Sequence, residues 1–357
     1  MVNVFSKLKS KPYIIAEIGI NHNGYLSLAK KLIIQSKKAG ADAVKFQKRD
    51  AEDLVNYNHI PKTSNGYLSK NENDIKKQKM KFGSWVYPDN RLELSEKDYF
   101  EIKRFTKKIG IDLIVTPWDE KSVQFVKKLG VKFFKIASID ANNYHFCEYV
   151  AKQKIPTIIS TGMCTYNEIL KTQKIFKKFK TKHIFLHCTS AYPSEERDKN
   201  LNCIPKLRKL LKDDVGFSGH GVGLSGAVGA TALGAKIIEK HVTLNKNMHG
   251  PDHAASLEFS TFKKLVDLCR KVNLSLGTSE KKFLNSEKIL HNILIRKFVT
   301  RKPLKKDQKL NASNIKTAIT YKQNGILPKD YYNIINKKIN KNLKKGHIIL
   351  KSDLKNK

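Results

Sequence analysis

The sequence predicts a (β/α)8 barrel followed by a small second domain, and three observations support this prediction. Eight short, mostly apolar segments alternate with amphipathic helical segments over the first 285 residues. No GxGxxG segment follows the first of them, which disfavours the runner-up, an open doubly wound sheet. Beyond that point short apolar runs, turn residues and two similar pieces, PLKKDQKLNASNIK and NLKKGHIILKSDLK, replace the alternation. The predicted domains are therefore residues 1–285 and 286–357.

The eight apolar segments have the composition of buried parallel strands, because they are short and rich in β-branched or aromatic residues. In chain order they are Tyr13–Ile20, Ala43–Gln47, Asp112–Pro117, Phe133–Ala137, Thr157–Thr161, His183–Cys188, Val215–Ser218 and Lys236–Thr243. In a (β/α)8 barrel the active site lies at the carboxyl ends of the strands. The polar residues at those ends are therefore the candidate functional residues.

Amphipathic segments between the strands predict helices on the outside of the barrel. Ser27–Gly40 and Ser95–Gly110 each begin at a residue suited to the N-cap and end at a glycine suited to the helix C-terminus. A third helix starts from Thr165, and Leu224–Ala235 is rich in small residues that allow close packing. The stretch from about residue 50 to 91 has no clear period and predicts a long polar insertion, a kind of loop that is often functional.

Net charge, the length of apolar runs and cysteine spacing disfavour several classes of protein. The net charge is +37, but lysine is spread along the chain and is not interleaved with aromatic residues. We therefore expect no nucleic-acid partner, although nucleic-acid binding is the non-enzyme alternative, and a basic surface would attract small anionic substrates. No apolar run is long enough to span a membrane. The five cysteines form no CxxC pair, which favours a reducing compartment and hence a cytoplasmic protein.

Two lysines predict an anion site in the mouth of the barrel. Lys45 and Lys135 lie inside strongly apolar strands, where a charge without a partner is costly. A closed barrel has no edge strand for them, so a bound anion is their expected partner. Hydroxyl groups at other strand ends would add donors, which suits a phosphate or carboxylate ligand. These hydroxyls belong to Thr116, Ser138, Ser160, Ser190 and Ser218.

His220 and His241 lie at the ends of neighbouring strands and predict a metal site. Neutral imidazoles at adjacent strand ends can bind one divalent ion and leave positions open for water or substrate. Such an open site polarises a carbonyl oxygen. The alternative is two unrelated histidines, each satisfied by hydrogen bonds. Glu239 lies on the same strand end without an assigned role, and His249 and His253 are interpreted as solvated loop residues.

Seven segments together resemble the sialic acid synthase family, which condenses phosphoenolpyruvate with an N-acetylated hexosamine. In the order of the family they are AEIGINHNG, AVKFQKR, FFKIASID, STGM, LHCTSAYPS, GFSGH and EKHVTLNKNMHGPDHAASLE. The tail resembles, more weakly, the antifreeze-like (SAF) domain of the family. The resemblance implies a (β/α)8 barrel, a manganese or magnesium cofactor, and a homodimer in which each tail domain caps the barrel of its partner.

The resemblance also implies roles for individual residues. Its metal ligands fall on His220 and His241. Its phosphoenolpyruvate contacts fall on Lys45, Thr116, Lys135, Ser138, Ser160 and Ser218, and Ser190 stands where the family usually has asparagine. Its acceptor-sugar contacts fall on Glu17, Tyr192 and Asp252, with Gln47 nearby.

Two departures from the family pattern bear on the reaction. Asp140 stands where the family usually has the longer glutamate, and either Asp140 or Glu17 would steer the water that attacks C2 of phosphoenolpyruvate. In the tail, Tyr321–Ile326 lacks the family's arginine that reaches the acceptor across the dimer, and Tyr321 or Lys322 stands near its place.

The expected product is a nonulosonic acid such as N-acetylneuraminate, made from an unphosphorylated acceptor of the N-acetylmannosamine type. The alternatives are a legionaminic or pseudaminic acid synthase and an N-acylneuraminate-9-phosphate synthase. A more remote alternative is an aldolase that uses pyruvate, either with a metal or through a Schiff base on Lys135.

Overall fold

The computed structural model describes residues 11–50, 54, 62–63, 66–67, 92–248, 250, 252–321 and 324–355. Most of the predicted insertion between residues 50 and 91 lies outside these residues, as do His249 and Lys322. Internal contacts divide the chain into two units, one up to Gly277 and the other from Thr278. The boundary that the sequence suggests, after residue 285, lies further along the chain and stays a prediction.

The first unit contains a closed barrel of eight parallel strands, which confirms the predicted fold. Each strand pairs with the next, and β1 closes the cylinder by pairing with β8. A two-residue strand, Leu257–Glu258 (β9), adds to β8. The barrel strands are β1 (Tyr13–Gly19), β2 (Ala43–Lys48), β3 (Asp112–Pro117), β4 (Phe133–Ile136), β5 (Thr157–Ser160), β6 (His183–Cys188), β7 (Val215–Gly219) and β8 (Ile237–Thr243).

Helices follow the strands and cover the outside of the barrel. They are α1 (Leu26–Lys38), α2 (Glu96–Ile109), α3 (Glu120–Leu129), α4 (Tyr144–Lys152), α5 (Tyr166–Lys178), α6 (Cys203–Leu211), α7 (Ser225–Ala232) and α8 (Phe259–Leu276). Ser95 caps α2 as predicted, because its side chain accepts the N–H of Asp98 in a capping box. The prediction that Ser27 caps α1 is wrong. The carbonyl of Tyr25 already accepts from the N–H of Ala29, so Tyr25 is the N-cap, two residues earlier than predicted.

Every second side chain of a barrel strand points inward, so inward residues two positions apart lie in successive layers. The lower layer is apolar, here named the floor, and the layer above it is polar. The floor consists of Ile15, Ala43, Ile114, Phe133, Ile158, Ile184, Leu186 and Ile237. Two residues further along six strands, the same inward face carries Glu17, Lys45, Thr116, Lys135, Ser160 and Glu239. The floor also needs Gly216, since a Cβ there would lie 2.4 Å from Leu186 Cδ2. The floor thus closes the barrel below the polar layer.

The second unit is small and rich in turns. After helix α9 (Lys288–Leu294), strands β10 (Arg296–Thr300) and β11 (Ile315–Ile319) pair antiparallel, and a one-turn helix α10 (Tyr331–Ile334) follows. Its core consists of Phe298, Leu304, Leu310, Ile315, Ile326, Ile334, Ile339, Leu343 and Ile349. In the described part of both units, no helix combines the length and apolar composition that a membrane span requires.

The two similar pieces of the tail pair with each other. Leu304 and Leu343, which hold the same position in each piece, exchange both backbone hydrogen bonds at 2.8 and 2.9 Å. The side chain of Asn314 accepts the N–H of Asn311, and seven residues after Leu343 the N–H of Leu350 donates to an aspartate in the same way. The sequence similarity of the pieces therefore corresponds to a local two-fold arrangement.

Candidate active site

A cavity of about 600 Å³ opens at the carboxyl ends of the barrel strands. Nearly all of the predicted site residues line it, because successive strand ends meet around one mouth. They are Glu17, Lys45, Gln47, Thr116, Lys135, Ser138, Asp140, Ser160, Ser190, Tyr192, Ser218, His220 and His241. Asp252 is the exception. It is fully buried beside the cavity, with Oδ2 3.7 Å from Nδ1 of His241.

Four buried charged side chains meet in the polar layer of the barrel. Lys45 Nζ lies 2.9 Å from Glu17 Oε2 and 3.7 Å from Glu239 Oε1. Lys135 Nζ lies 3.9 Å from the same Glu239 oxygen. Gln47 donates to the other oxygen of Glu17 at 2.9 Å, which holds this carboxyl towards the mouth. The cluster is therefore a network of two cations and two carboxyls with its geometry already set.

The two carboxyls of this network are driven towards different protonation states. Burial raises the pKa of Glu17, and the neighbouring Glu239 adds to this effect, although Lys45 opposes it. Burial would also raise the pKa of Glu239, but Lys135 and Lys45 together hold it below its ordinary value. Pairs of carboxyls whose environments push their pKa values apart are suited to acid and base roles. Glu17 is thus the group that holds a proton more readily.

The network corrects the argument that the two lysines must be paired with a bound anion. Lys45 has carboxylate partners in Glu17 and Glu239, and these carboxylates raise its pKa despite its burial. Lys135 is different, because burial lowers its pKa and its Nζ donates to Ser160 Oγ at 2.7 Å and to the Ile136 carbonyl at 3.0 Å. The carboxylates of Glu17 and Glu239 face the lysines inside the barrel. They therefore offset part of the free-energy cost of burying the two positive charges.

The predicted hydroxyl groups are arranged around these charges. Thr116 Oγ1 accepts from Lys45 at 3.1 Å, and Ser218 donates to Glu239 at 3.1 Å. Ser138 Oγ accepts the backbone N–H of Gly162 at 3.1 Å. The hydroxyl of Ser190 is buried and has no hydrogen-bond partner among the described residues. Since a buried hydroxyl normally has a partner, Ser190 is free to contact a ligand.

The predicted histidines also meet in the cavity. The rings of His220 and His241 have centroids 5.6 Å apart, and the Tyr192 ring lies 4.0 Å from that of His220. Nδ1 of His220 lies 3.0 Å from the Thr189 carbonyl oxygen. Because a carbonyl only accepts, Nδ1 carries the proton and the lone pair lies on Nε2. Burial is the main cause that holds the pKa of His241 well below its ordinary value, and the nearby Lys45 acts in the same direction, so this imidazole is neutral.

These features fit a divalent metal bound by two imidazoles. The hydrogen bond at Nδ1 of His220 leaves Nε2 of that ring available to a metal. The imidazole of His241 is neutral, and its Nδ1 is buried without a hydrogen-bond partner in the described structure. No group of three or more His, Cys, Asp or Glu side chains in the described ranges could itself hold an ion. The remaining ligands would therefore be water or substrate oxygens, which manganese and magnesium accept readily.

The loop after β8 corrects one prediction. His253, interpreted as solvated, is only 1% exposed, and its Nδ1 lies 2.7 Å from Thr243 Oγ1. Asn21, in the loop after β1, donates to Ser256, which in turn donates to the carbonyl of Asp252 at 2.7 Å. The loop folds back over β1, so residues that look exposed in the sequence become buried. Burial and Glu17 raise the pKa of the Asp252 carboxyl to about 7.

Comparison with known proteins agrees with this geometry. Residues 32–281 match the NeuB family. The chain belongs to the NeuB family. It is 36% identical to the human N-acetylneuraminate-9-phosphate synthase over 92% of this chain and 88% of that protein. It is 34% identical to the N,N'-diacetyllegionaminic acid synthase of Legionella pneumophila, over 95% of this chain and 93% of that protein.

A solved structure is also similar to this chain. It is the N-acetylneuraminic acid (sialic acid) synthetase of Leptospira borgpetersenii, solved in complex with citrate. The TM-score is 0.67 at 31% identity, and the match covers 78% of this chain and 90% of that one. The resemblance drawn from the seven sequence segments is therefore confirmed at the level of the family.

Several residues of this NeuB-family cavity have no role in the predictions from sequence. Glu239, at a predicted strand end, is the most important. Strand periodicity could have assigned it to the cavity, because it lies two residues before His241 and so on the same inward face. Arg49 and Trp118 directly follow β2 and β3 and also line the cavity, with the guanidinium 5.8 Å from the Trp118 ring. Ile139 and Met163 add exposed apolar surface at the mouth, for which the sequence carries no clear signal.

Proposed function

We propose that this NeuB-family chain condenses phosphoenolpyruvate with an open-chain N-acetylated hexosamine and water, giving a nonulosonic acid and phosphate. The observation that carries this proposal is the meeting, in one cavity, of two buried lysines with two imidazoles. The lysines suit an anionic donor, and the imidazoles suit a metal-dependent electrophile. The five free cysteines support a reducing, cytoplasmic location for this chemistry.

Phosphoenolpyruvate would bind through the lysines and the surrounding hydroxyls. The network of Lys45, Lys135, Glu17 and Glu239 is balanced when all four groups are charged. Protonation of Glu17, which its raised pKa favours, leaves the network positive and so able to accept an anion. Ser160, Thr116 and Ser190 would orient the phosphate and carboxylate, converting a bimolecular encounter into a positioned reaction.

The bond-forming step joins C3 of phosphoenolpyruvate to the aldehyde carbon of the sugar. A divalent metal held by His220 and His241 would supply Lewis-acid polarisation of the aldehyde. The aldehyde oxygen takes up a proton and becomes a hydroxyl group. The cationic C2 then takes up water, one proton of which passes to a carboxylate. The C2–O bond to phosphate breaks, and the hydroxyl on C2 loses its proton to leave the keto acid. Asp140 and Glu17 are the candidate bases for this water, and Glu17 can act only in its ionised form, so Asp140 is the base while Glu17 holds a proton. The pKa of Asp140 is raised by burial, which makes it a stronger base than an exposed aspartate.

The acceptor would be held beside the donor site. Glu17, Gln47 and Tyr192, which line the cavity, are the proposed contacts to its hydroxyl and amide groups. Asp252, which the family resemblance adds to this set, is fully buried beside the cavity. We rank an unphosphorylated acceptor of the N-acetylmannosamine type first. The names of the human and Legionella relatives keep the 6-phosphate and the di-N-acetylated 6-deoxy sugars as alternatives.

An assay of phosphate release tests the activity. We expect the purified protein to release phosphate from phosphoenolpyruvate with one of three acceptors, and only when Mn²⁺ is present. The acceptors are N-acetylmannosamine, its 6-phosphate and a di-N-acetylated 6-deoxyhexose. Pyruvate in place of phosphoenolpyruvate is the control. Condensation from pyruvate without phosphate would support an aldolase instead, and borohydride trapping on Lys135 would support its Schiff-base form.

We also propose that two chains form a dimer in which each tail domain caps the barrel of its partner, as the family resemblance implies. Exposed apolar side chains at the start of the second unit support this proposal. These residues, here named the linker surface, are Phe283, Leu284, Ile289, Leu290, Ile293 and Leu294. Ile289 is 76% exposed and Leu290 61% exposed. Exposed apolar patches of this kind mark interaction sites, and a second copy is the proposed partner.

Charged substitutions on the linker surface test the dimer. We expect the wild type to sediment with the mass of two chains, and Ile289→Asp combined with Ile293→Asp to sediment as a monomer of much lower activity. Asn292→Asp on the same helix is the matched control, because it adds a charge outside the linker surface. A double variant that remains dimeric, or a wild type that is monomeric at micromolar concentration, would contradict the proposal.

A further inference from the structure

One hydrogen bond joins the neighbours of the two cavity histidines. Lys240, directly before His241, donates from Nζ to the carbonyl oxygen of Gly221, directly after His220, at 2.6 Å. Lys240 is only 3% exposed, although it bears a charged group. Strand alternation places Glu239 and His241 on the inner face of β8 and Lys240 on the outer face. The ammonium therefore lies behind the cavity wall and cannot serve as a substrate contact.

The loop that carries His220 needs such a tether. It runs from the end of β7 to the start of α7 and contains two glycines, Gly221 and Gly223, whose backbones are the least restricted by sterics. His220 itself is held at Nδ1 by the Thr189 carbonyl. The bond from Lys240 fixes the next peptide unit. Because its donor is charged, this bond is stronger than one between neutral groups.

A second buried lysine closes the same region. Lys199 is 5% exposed, and its Nζ contacts the Glu196 carboxylate and donates to Ser225 Oγ at 3.1 Å. A Cβ on Gly221 would lie 2.7 Å from Lys199 Cε and 3.1 Å from the Ser194 carbonyl oxygen. The backbone at Gly221 is therefore packed between the two lysine side chains and the loop after β6, with little space to move.

We propose that Lys240 is a positioning residue that sets the separation of His220 and His241. It links β8 to the loop after β7 through one charge-assisted hydrogen bond, and each end of that bond lies one residue from an imidazole. The inference rests on the proposed role of these imidazoles in metal binding. Loss of the bond would let the loop after β7 relax and so weaken binding by both rings together, without contact between Lys240 and any ligand.

Mn²⁺ binding to Lys240→Met tests this role directly. Methionine keeps most of the apolar stem but removes the donor. Supporting groups of this kind typically change metal affinity by roughly 10- to 100-fold, so we expect the Mn²⁺ dissociation constant, measured from the free-ion EPR signal, to rise by that factor. We expect kcat to fall with it and the KM for phosphoenolpyruvate to stay near the wild-type value. Lys240→Arg, which restores a charged donor, should regain most of the affinity.

Lys246→Met is the matched control for the loss of one positive charge. Lys246 is near enough for its charge to act on Lys240, but it is not next to either histidine in the chain. It should bind Mn²⁺ as the wild type does. If Lys240→Met does not fold, Lys240→Gln is the second variant, since its amide is too short to reach the Gly221 carbonyl. Wild-type Mn²⁺ affinity in either folded variant, or an equal loss in Lys246→Met, would overturn the proposal.

The same measurement separates this inference from the proposed function. If the wild type and His241→Ala bind Mn²⁺ equally, the metal site itself is wrong. If His241→Ala loses Mn²⁺ and folded Lys240→Met does not, the metal site stands and the positioning role of Lys240 is wrong.

Discussion

Lys135→Met is expected to raise the KM for phosphoenolpyruvate by roughly 30- to 3000-fold. Removing one partner of a buried, hydrogen-bonded charge pair costs about 2–5 kcal/mol, and each 1.4 kcal/mol corresponds to a factor of ten. The Lys135 ammonium contacts Ser160 and faces Glu239, so its loss leaves the donor site with an excess of negative charge. Steady-state phosphate release at varied phosphoenolpyruvate concentration measures the effect.

Lys132→Met is the control for this variant. Lys132 immediately precedes β4, but its side chain is 58% exposed and it pairs with Asp112 at the opposite end of the barrel strands. Its removal should leave the KM unchanged, because exposed ion pairs contribute little. A wild-type dependence on phosphoenolpyruvate in folded Lys135→Met would remove the anion site from this cavity.

His241→Ala is expected to lose Mn²⁺ binding and to lower kcat by roughly 1000-fold while the protein remains folded. Lewis-acid stabilisation is worth several kcal/mol in the transition state, and each 1.36 kcal/mol is a factor of ten in rate. His241 is neutral and its Nδ1 has no hydrogen-bond partner among the described residues, so its removal breaks no such bond there. Mn²⁺ titration by EPR, circular dichroism and kcat measure the three parts of this expectation.

His145→Ala is the matched control for the loss of an imidazole. Its side chain is 87% exposed at the start of α4, where it could bind Mn²⁺ only adventitiously. The control should leave the Mn²⁺ stoichiometry of the cavity unchanged. Undiminished kcat in His241→Ala would show that the paired histidines are not the metal site. The aldehyde would then have to be polarised by another group.

The fold was largely predictable because a barrel of parallel strands leaves a strong local signal. Strands buried on both faces appear as short apolar runs, and the helices between them begin and end at recognisable residues such as Ser95 and Gly110. The errors fell at element ends. Tyr25 replaced Ser27 as the cap of α1, since the turn before the helix is decided by backbone hydrogen bonds that the sequence does not specify.

The site was predictable for the residues that lie directly at strand ends. The barrel brings those ends together, so a list of polar strand-end residues already approximates the cavity, as Lys45, Lys135 and His220 illustrate. The strand-end positions alone do not show which of these polar residues interact. Glu239 faces both lysines, yet the sequence assigns it no role, because it does not specify which charged groups lie within 4 Å of each other.

The sequence by itself therefore determined the family, the barrel and the identity of most cavity residues, since these depend on local composition and on strand order. Only the tertiary structure decided the protonation states and the partners. The pKa of Glu17 is raised by burial and by Glu239, whereas that of Glu239 is lowered, despite burial, by Lys135 and Lys45 on other strands. His253 contacts Asn23 in the loop after β1, and Lys240 contacts Gly221 in the loop after β7. Such effects depend on separations in space, which residues far apart in the chain acquire only when the barrel closes.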